Sequence, residues 1–289
     1  SCPFCGSLKI YKLGEIKTPD SLLFSSTKIS LKHVQEYWHC RMCLSSFKQK
    51  VVVEPEAQTL YSYNSSNRWE SKDFETEKTS DVILKIKDYL KKDKKVLDIG
   101  CNTGELLDYC KKYGAKTFGI EYSKKSKDVC IKKGHKIYKD IDDIKEDVFD
   151  LIFAFDLVEH LYDVGKFFKK VNTLLRSDGK LIILTGNPNC LSAKLAGKRW
   201  WYSLFPEHVV FPSKEFFNNF CLINLEKYIP VFNSKFFAQQ YLFSVDSLIY
   251  KKIMNLAGQI LRGAYTGLPS INRDHALIIL SKKNEKNSK

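Results

Sequence analysis

From residue 95 onward, short β-rich apolar runs alternate with amphipathic helical stretches, and that rhythm admits few folds. The apolar runs fall at 95–99, 116–120, 136–138, 150–155 and 180–185, with helical periodicity at 105–112, 124–132 and 164–175 between most of them. Parallel strands need a crossover between them, and a helix supplies it, so this alternation points to an α/β fold with helices on both faces of a parallel sheet. Two later runs, 222–228 and 275–281, bring the strand count to seven. Two insertions interrupt the pattern. The first, 188–221, is rich in aromatic residues; the second, 229–274, carries a predicted helix at 245–261. Insertions at the carboxyl edge of such a sheet are where a substrate is expected.

The N-terminus follows other rules. Cys2 and Cys5 form one CxxC pair, and Cys40 and Cys43 form a second, with 34 residues between the pairs. Each pair can present two thiolates to one ion, and four complete a closed tetrahedral shell with no position for water. A structural zinc site is therefore predicted. A unit this small has little core, and bound zinc would supply the missing folding energy. The expected organisation is a zinc ribbon over 1–55, a polar linker over 56–80 and the α/β domain over 81–289. The other five cysteines (Cys101, Cys110, Cys130, Cys190 and Cys221) are scattered through core-like segments and do not form a disulfide framework. Such usage fits a reducing compartment, hence a cytoplasmic protein. The start SCPFCGS shows no secretory pattern, and no apolar run approaches the ~20 residues of a membrane span.

The formal net charge is +14, from 47 Lys and Arg against 33 Asp and Glu. A basic chain attracts phosphates, so nucleic acid is a candidate partner. Only six of the 47 are arginine, however, and planar bidentate recognition of phosphates and bases favours arginine. Lysines spread over helix faces fit a solvated surface better.

In the run VLDIGCNTGE, residues 96–105, a strand enters a glycine-rich turn and then a helix. Gly100 and Gly104 leave room for backbone to approach a ligand, and the helix start points amide donors at it. The run lacks GxGxxG, and Asp98 would repel a phosphate but suit a cationic amino-acid moiety. This segment resembles motif I of the class I methyltransferases that use S-adenosylmethionine (SAM). Later segments match that family in order: FGIE at 118–121, Asp140-Ile141 after the third strand, FDLIFAFD at 149–156, and LLRSDGKL at 174–181. The resemblance implies a Rossmann-like seven-stranded sheet and SAM as cofactor. It places Glu121 on the ribose hydroxyls and Asp140 and Ile141 at the adenine. The implied cofactor set is Asp98, Gly100, Asn102, Gly104, Glu121, Tyr122, Asp140, Ile141 and Phe155.

Asp156, Glu159 and His160 lie at i, i+3 and i+4, which share a face on one helical turn. The run resembles the Glu-x-x-Glu-His of ubiquinone-pathway O-methyltransferases and of small-RNA 2′-O-methyltransferases, both associated with a divalent metal. In the RNA family a further His follows strand five, in a context like that of His208 here. Asp156, Glu159, His160 and His208 are thus a candidate Mg²⁺ or Mn²⁺ site, although Asp156 is one methylene shorter than the glutamate it replaces. Without metal, His160 or His208 can act as general base, with Glu159 beside them. A third reading has the Glu-His pair merely position a loop.

The zinc-ribbon-plus-methyltransferase layout resembles that of sugar methyltransferases. The leading expectation is O-methylation of a small molecule or glycan, and the basic surface would suit an anionic acceptor. An RNA methyltransferase and a non-catalytic SAM-binding scaffold are the alternatives.

Overall fold

The structure is a computed structural model, and it describes residues 1–16, 21–24, 27–31, 33–63, 81–145, 148–231 and 273–282. The predicted helix at 245–261 lies outside these residues.

Five strands open the chain: β1 (Ile10–Ile16), β2 (Leu22–Phe24), β3 (Thr27–Ile29), β4 (Gln35–Cys40) and β5 (Ser46–Gln49). β2 and β3 form a hairpin, while β4 pairs antiparallel with both β1 and β5. The next element corrects the expected linker. Residues Glu54–Tyr63 form a helix, α1. Glu54 and Glu56 in its first turn complement the helix dipole. Ala57, Leu60 and Tyr61 pack against Phe24, Val52 and Tyr162. Residues with polar neighbours therefore become helical through tertiary packing. The rest of the expected linker, 64–80, lies outside the described residues.

The α/β domain then follows the sequence pattern closely. After α2 (Asp81–Ile86) come β6 (Lys95–Ile99), α3 (Glu105–Lys112), β7 (Lys116–Ile120), α4 (Lys124–Lys132), β8 (Lys136–Tyr138) and β9 (Phe149–Phe155). Next are α5 (Val164–Leu174), β10 (Leu175–Gly186), α6 (Leu191–Ala196), β11 (Val210–Phe211), α7 (Lys214–Asn219), β12 (Asn224–Val231) and β13 (His275–Ser281). Seven strands make one sheet in the order β12-β13-β10-β9-β6-β7-β8. β10, β9, β6, β7 and β8 run parallel, and β13 is antiparallel to both its neighbours. Strand order reverses between β6 and β9, and the crevice outside their carboxyl ends is where such sheets bind ligands.

Both faces of the sheet are covered. β9 is buried along its length except at Phe155. α5 buries Val164, Phe167, Phe168, Val171 and Leu174 on one stripe. At about 1.5–3 kcal/mol per fully buried apolar side chain, that stripe alone favours docking of the helix strongly.

The boundary between the two expected domains is less sharp than the sequence suggests. β11 comes from the aromatic insertion, yet it pairs with β5, Val210 opposite Phe47 and Phe211 opposite Ser46. It completes a four-stranded sheet in the order β1-β4-β5-β11. Ser213, the N-cap of α7, donates to the Cys43 carbonyl, and its N–H donates to Ser45 Oγ at 3.0 Å. The N-terminal unit is therefore built into the larger domain. Among the described residues, no helix is long and apolar enough to cross a membrane.

Candidate active site

β6 ends in a bend whose geometry explains its glycines. Gly100, Asn102 and Gly104 have φ of 81°, 47° and 84°, the left-handed region that glycine enters at no steric cost. The Gly100 and Cys101 amides both donate to the Ile120 carbonyl, at 2.9 and 3.1 Å. Glu121 ties the bend to the next loop: one carboxylate oxygen accepts from Asn102 N at 2.9 Å and the other from Ser123 N at 2.7 Å. The two glycines differ in purpose. A Cβ on Gly100 would meet only Leu157, at 3.4 Å, whereas one on Gly104 would press on Cys130 Sγ at 3.1 Å and the His135 ring at 3.2 Å. Gly104 thus makes room for its protein neighbours.

The bend opens onto a cavity of about 690 Å³. Of the nine expected cofactor residues, Gly100, Asn102, Glu121, Tyr122, Asp140, Ile141 and Phe155 line it, and Asp98 and Gly104 do not. The Tyr122 phenol donates to Asp140 at 2.9 Å, joining two of these residues. Asp98 lies buried at the end of β6, and burial, with Glu105 and Glu121 nearby, pushes its carboxyl up to about 8. Burial also raises Glu121, against the lowering effect of its backbone hydrogen bonds. The wall is acidic although the chain is basic: Glu54, Glu121, Asp140, Asp142, Asp143, Asp156, Asp163 and Glu207 face two lysines, Lys166 and Lys170. A cationic ligand fits such a wall, and a phosphate does not.

The Asp-x-x-Glu-His segment also lines the cavity, through Asp156 and His160, and its residues 158–160 form a 3₁₀ turn. Only part of the expected cluster assembles. One ligand atom each from Glu159, His160 and His208 lie within 4.8 Å of one another, and Asp156 is not in that group. Asp156 instead has a left-handed φ of 48° and lines the cavity, and its Oδ1 is buried with no hydrogen-bond partner among the described residues. Burial, then Glu159, raises its carboxyl to about 7.

The three grouped residues play different parts. Glu159 is wholly buried and lies outside the cavity wall; Tyr202 donates to one oxygen and Thr185 Oγ1 to the other, at 2.8 Å. His208 is also buried and absent from the wall, with Nδ1 against the Tyr202 carbonyl at 2.8 Å. His160 alone reaches the cavity. Its Nδ1 is 3.0 Å from the Glu207 carbonyl and 2.9 Å from the Tyr61 phenol. A carbonyl can only accept, so Nδ1 carries the hydrogen and the neutral ring keeps its lone pair on Nε2. Burial holds both imidazoles below the ordinary histidine range, His208 further than His160.

The four N-terminal cysteines converge as their spacing predicts. Their sulfurs lie within 4.8 Å of one another, with Cys2 to Cys43 and Cys5 to Cys40 each 3.6 Å apart. Zinc–sulfur bonds of about 2.3 Å in a tetrahedron separate sulfurs by about 3.8 Å, so the four fit one ion. Cys2's sulfur, then burial, pushes the Cys43 thiol up, and a nearby cation would reverse that.

The methyltransferase domain family matches residues 71–221, just over half of the chain. The chain belongs to this family, the class I SAM-dependent methyltransferases. Among curated relatives, the methyltransferase domain is similar to a "Ubiquinone biosynthesis O-methyltransferase" of Bradyrhizobium diazoefficiens, 32% identical over 35% of this chain and 44% of that protein. It is similar also to one of the same name from Coxiella burnetii, 30% identical over 40% of this chain and 54% of that protein. The matches therefore span about half the length of those relatives. A solved SAM-dependent methyltransferase from Archaeoglobus fulgidus is 18% identical, covering 73% of this chain and all of that one, with a TM-score of 0.45.

Several wall residues of this methyltransferase were not legible in its sequence. Tyr61, Glu54 and Gln58 come from α1, a segment whose polar composition reads as linker. Tyr162 lies just before α5 and Lys166 in its first turn, where the family resemblance names no role.

Proposed function

We propose that the chain is an O-methyltransferase that moves the methyl group of SAM to a hydroxyl of a small neutral or cationic molecule. The single observation behind this reading is one acidic cavity lined both by Glu121 and Asp140 and by His160. SAM carries a sulfonium and an ammonium, which suit that wall and the Asp156 oxygen that has no partner among the described residues. When bound, it supplies an activated methyl group. Glu121 would hold the ribose hydroxyls, Asp140 and Ile141 the adenine edge, and the Gly100–Asn102 bend the amino-acid end. His160 would then take the acceptor's hydroxyl proton on Nε2 as the oxygen attacks in line, while the Glu207 carbonyl fixes the tautomer.

The acidic wall argues against the anionic acceptor that the surface charge suggested, and against RNA. Phenols and sugar hydroxyls are the acceptor classes that remain. The relatives' name, ubiquinone biosynthesis O-methyltransferase, supports O-methylation of a small molecule.

The four cysteines would hold a structural zinc, making residues 1–55 the ribbon. A divalent ion held by Glu159, His160 and His208 is a second reading, favoured by the grouping of their ligand atoms. Such an ion would lower the pKa of an acceptor hydroxyl.

The test is a labelled-methyl screen with the purified chain over phenols, sugars and RNA. Label in a small hydroxyl acceptor is expected. His160→Gln should keep SAM binding while transfer falls about 10²–10⁴-fold. Label in RNA, with binding that weakens steeply with salt, would replace this reading by the nucleic-acid one. SAM binding without any transfer would leave a scaffold.

A further inference from the structure

Two polar side chains of the N-terminal sheet are buried far from any expected role. Lys48 on β5 is 5% exposed and Gln35 on β4 is 0% exposed. Lys48 Nζ donates to the Phe205 carbonyl at 2.6 Å and to Gln35 Oε1 at 3.0 Å, and Gln35 Nε2 donates to the Pro206 carbonyl at 3.1 Å. Two consecutive carbonyls are thus gripped from the sheet that carries the cysteines. The next carbonyl in the chain, Glu207, is the one that receives His160 Nδ1–H. The backbone continues the link, with Lys48 N bonded to the Val209 carbonyl at 2.8 Å and Val209 N to the Glu159 carbonyl at 2.7 Å.

Burying an ammonium is costly, and lysine is ordinarily a surface residue. An apolar side chain would fill the same space without that cost. What the amine and amide donors add is direction. Between the 3₁₀ turn and β11, the Phe205 carbonyl also accepts from His208 N at 3.2 Å and the Val209 carbonyl from Lys48 N, while Pro206 and Glu207 lie in neither a helix nor a strand.

We propose that Lys48 and Gln35 are positioning residues for His160. By clamping the Phe205 and Pro206 carbonyls they aim the Glu207 carbonyl at Nδ1 and so keep Nε2 free to accept a proton. The proposal rests on His160 being the base of the transfer proposed above. It makes the cysteine-bearing sheet part of the catalytic apparatus rather than a separate docking module.

The test uses the full chain labelled with ¹⁵N-histidine, with the His160 signals assigned through His160→Gln. Long-range proton–nitrogen spectra distinguish the two neutral tautomers. The wild type is expected to show His160 protonated on Nδ1. In Lys48→Met and in Gln35→Leu a substantial Nε2–H population should appear, with SAM affinity by calorimetry within about twofold of wild type. With the acceptor returned by the screen, the transfer rate should fall about ten- to a hundredfold at unchanged KM for SAM. Folded variants that keep the Nδ1–H tautomer overturn the proposal. If Lys48→Met does not fold, Gln35→Leu decides, since it removes the Pro206 contact and keeps Lys48 on the Phe205 carbonyl. The imidazole spectrum needs neither SAM nor acceptor. A wild type that transfers no methyl would therefore defeat the functional reading, while the clamp would still be judged on its tautomer.

Discussion

The Tyr202 phenol donates to the buried carboxylate of Glu159, and this bond makes Glu159 an anchor rather than a wall residue. Burial raises the Glu159 carboxyl, and the hydroxyls of Tyr202 and Thr185 oppose that rise. Tyr202→Phe keeps the ring and deletes one donor to a buried acid. It is expected to cost about 1–3 kcal/mol, read as a lower urea midpoint at unchanged m-value. An unchanged midpoint would show that Glu159 draws nothing from Tyr202.

Glu121→Gln tests the ribose contact. Replacing the carboxylate by a neutral amide removes charge-assisted acceptance and should weaken SAM binding by about tenfold or more. The ligand-free melting temperature of the variant separates this loss from loosening of the bend, since Glu121 also holds the Asn102 and Ser123 amides.

Asp98 predicts a pH dependence. Its folded carboxyl titrates at about 8 against an ordinary 3.8, because it is buried near two other acids. Between those values the folded chain keeps a proton that the unfolded chain has released. Its contribution to stability is therefore full below about pH 4, falls as pH rises, and is lost above about pH 8. The ligand-free wild type should lose melting temperature between pH 6 and 8 more steeply than Asp98→Asn. Parallel slopes would mean that Asp98 is ionised in the fold.

The cysteine cluster predicts about one zinc per chain by elemental analysis. Cys43→Ser should bind far less and melt about 10 °C lower, because a structural ion contributes folding energy directly. Full stability in a metal-stripped chain would refute a structural ion.

Much of the larger domain was legible because its signals are local. A glycine bend after an apolar run, seven strand runs and the alternation between them need only neighbouring residues to be read, and each appears near its expected place. What escaped the sequence depends on partners remote in the chain. Helix α1 forms because Ala57 and Tyr61 find Phe24 and Tyr162, which composition does not reveal. Asp156 shares the i, i+3, i+4 spacing, yet its left-handed backbone leaves it outside the Glu159–His160–His208 group. Nothing local marks Lys48 and Gln35, because their carbonyl partners, Phe205 and Pro206, lie in the segment before β11.

That late arrival affects how the protein is made. Phe47 finds its strand partner in Val210, 210 − 47 = 163 residues further on. The cysteine knuckles are synthesised before it, yet the sheet they belong to cannot close until the strand at Val210 has left the ribosome. Contacts so far apart in sequence form slowly. A nascent chain would wait with its thiols gathered and one edge of that sheet bare, and a fragment ending after β5 would keep that raw edge permanently.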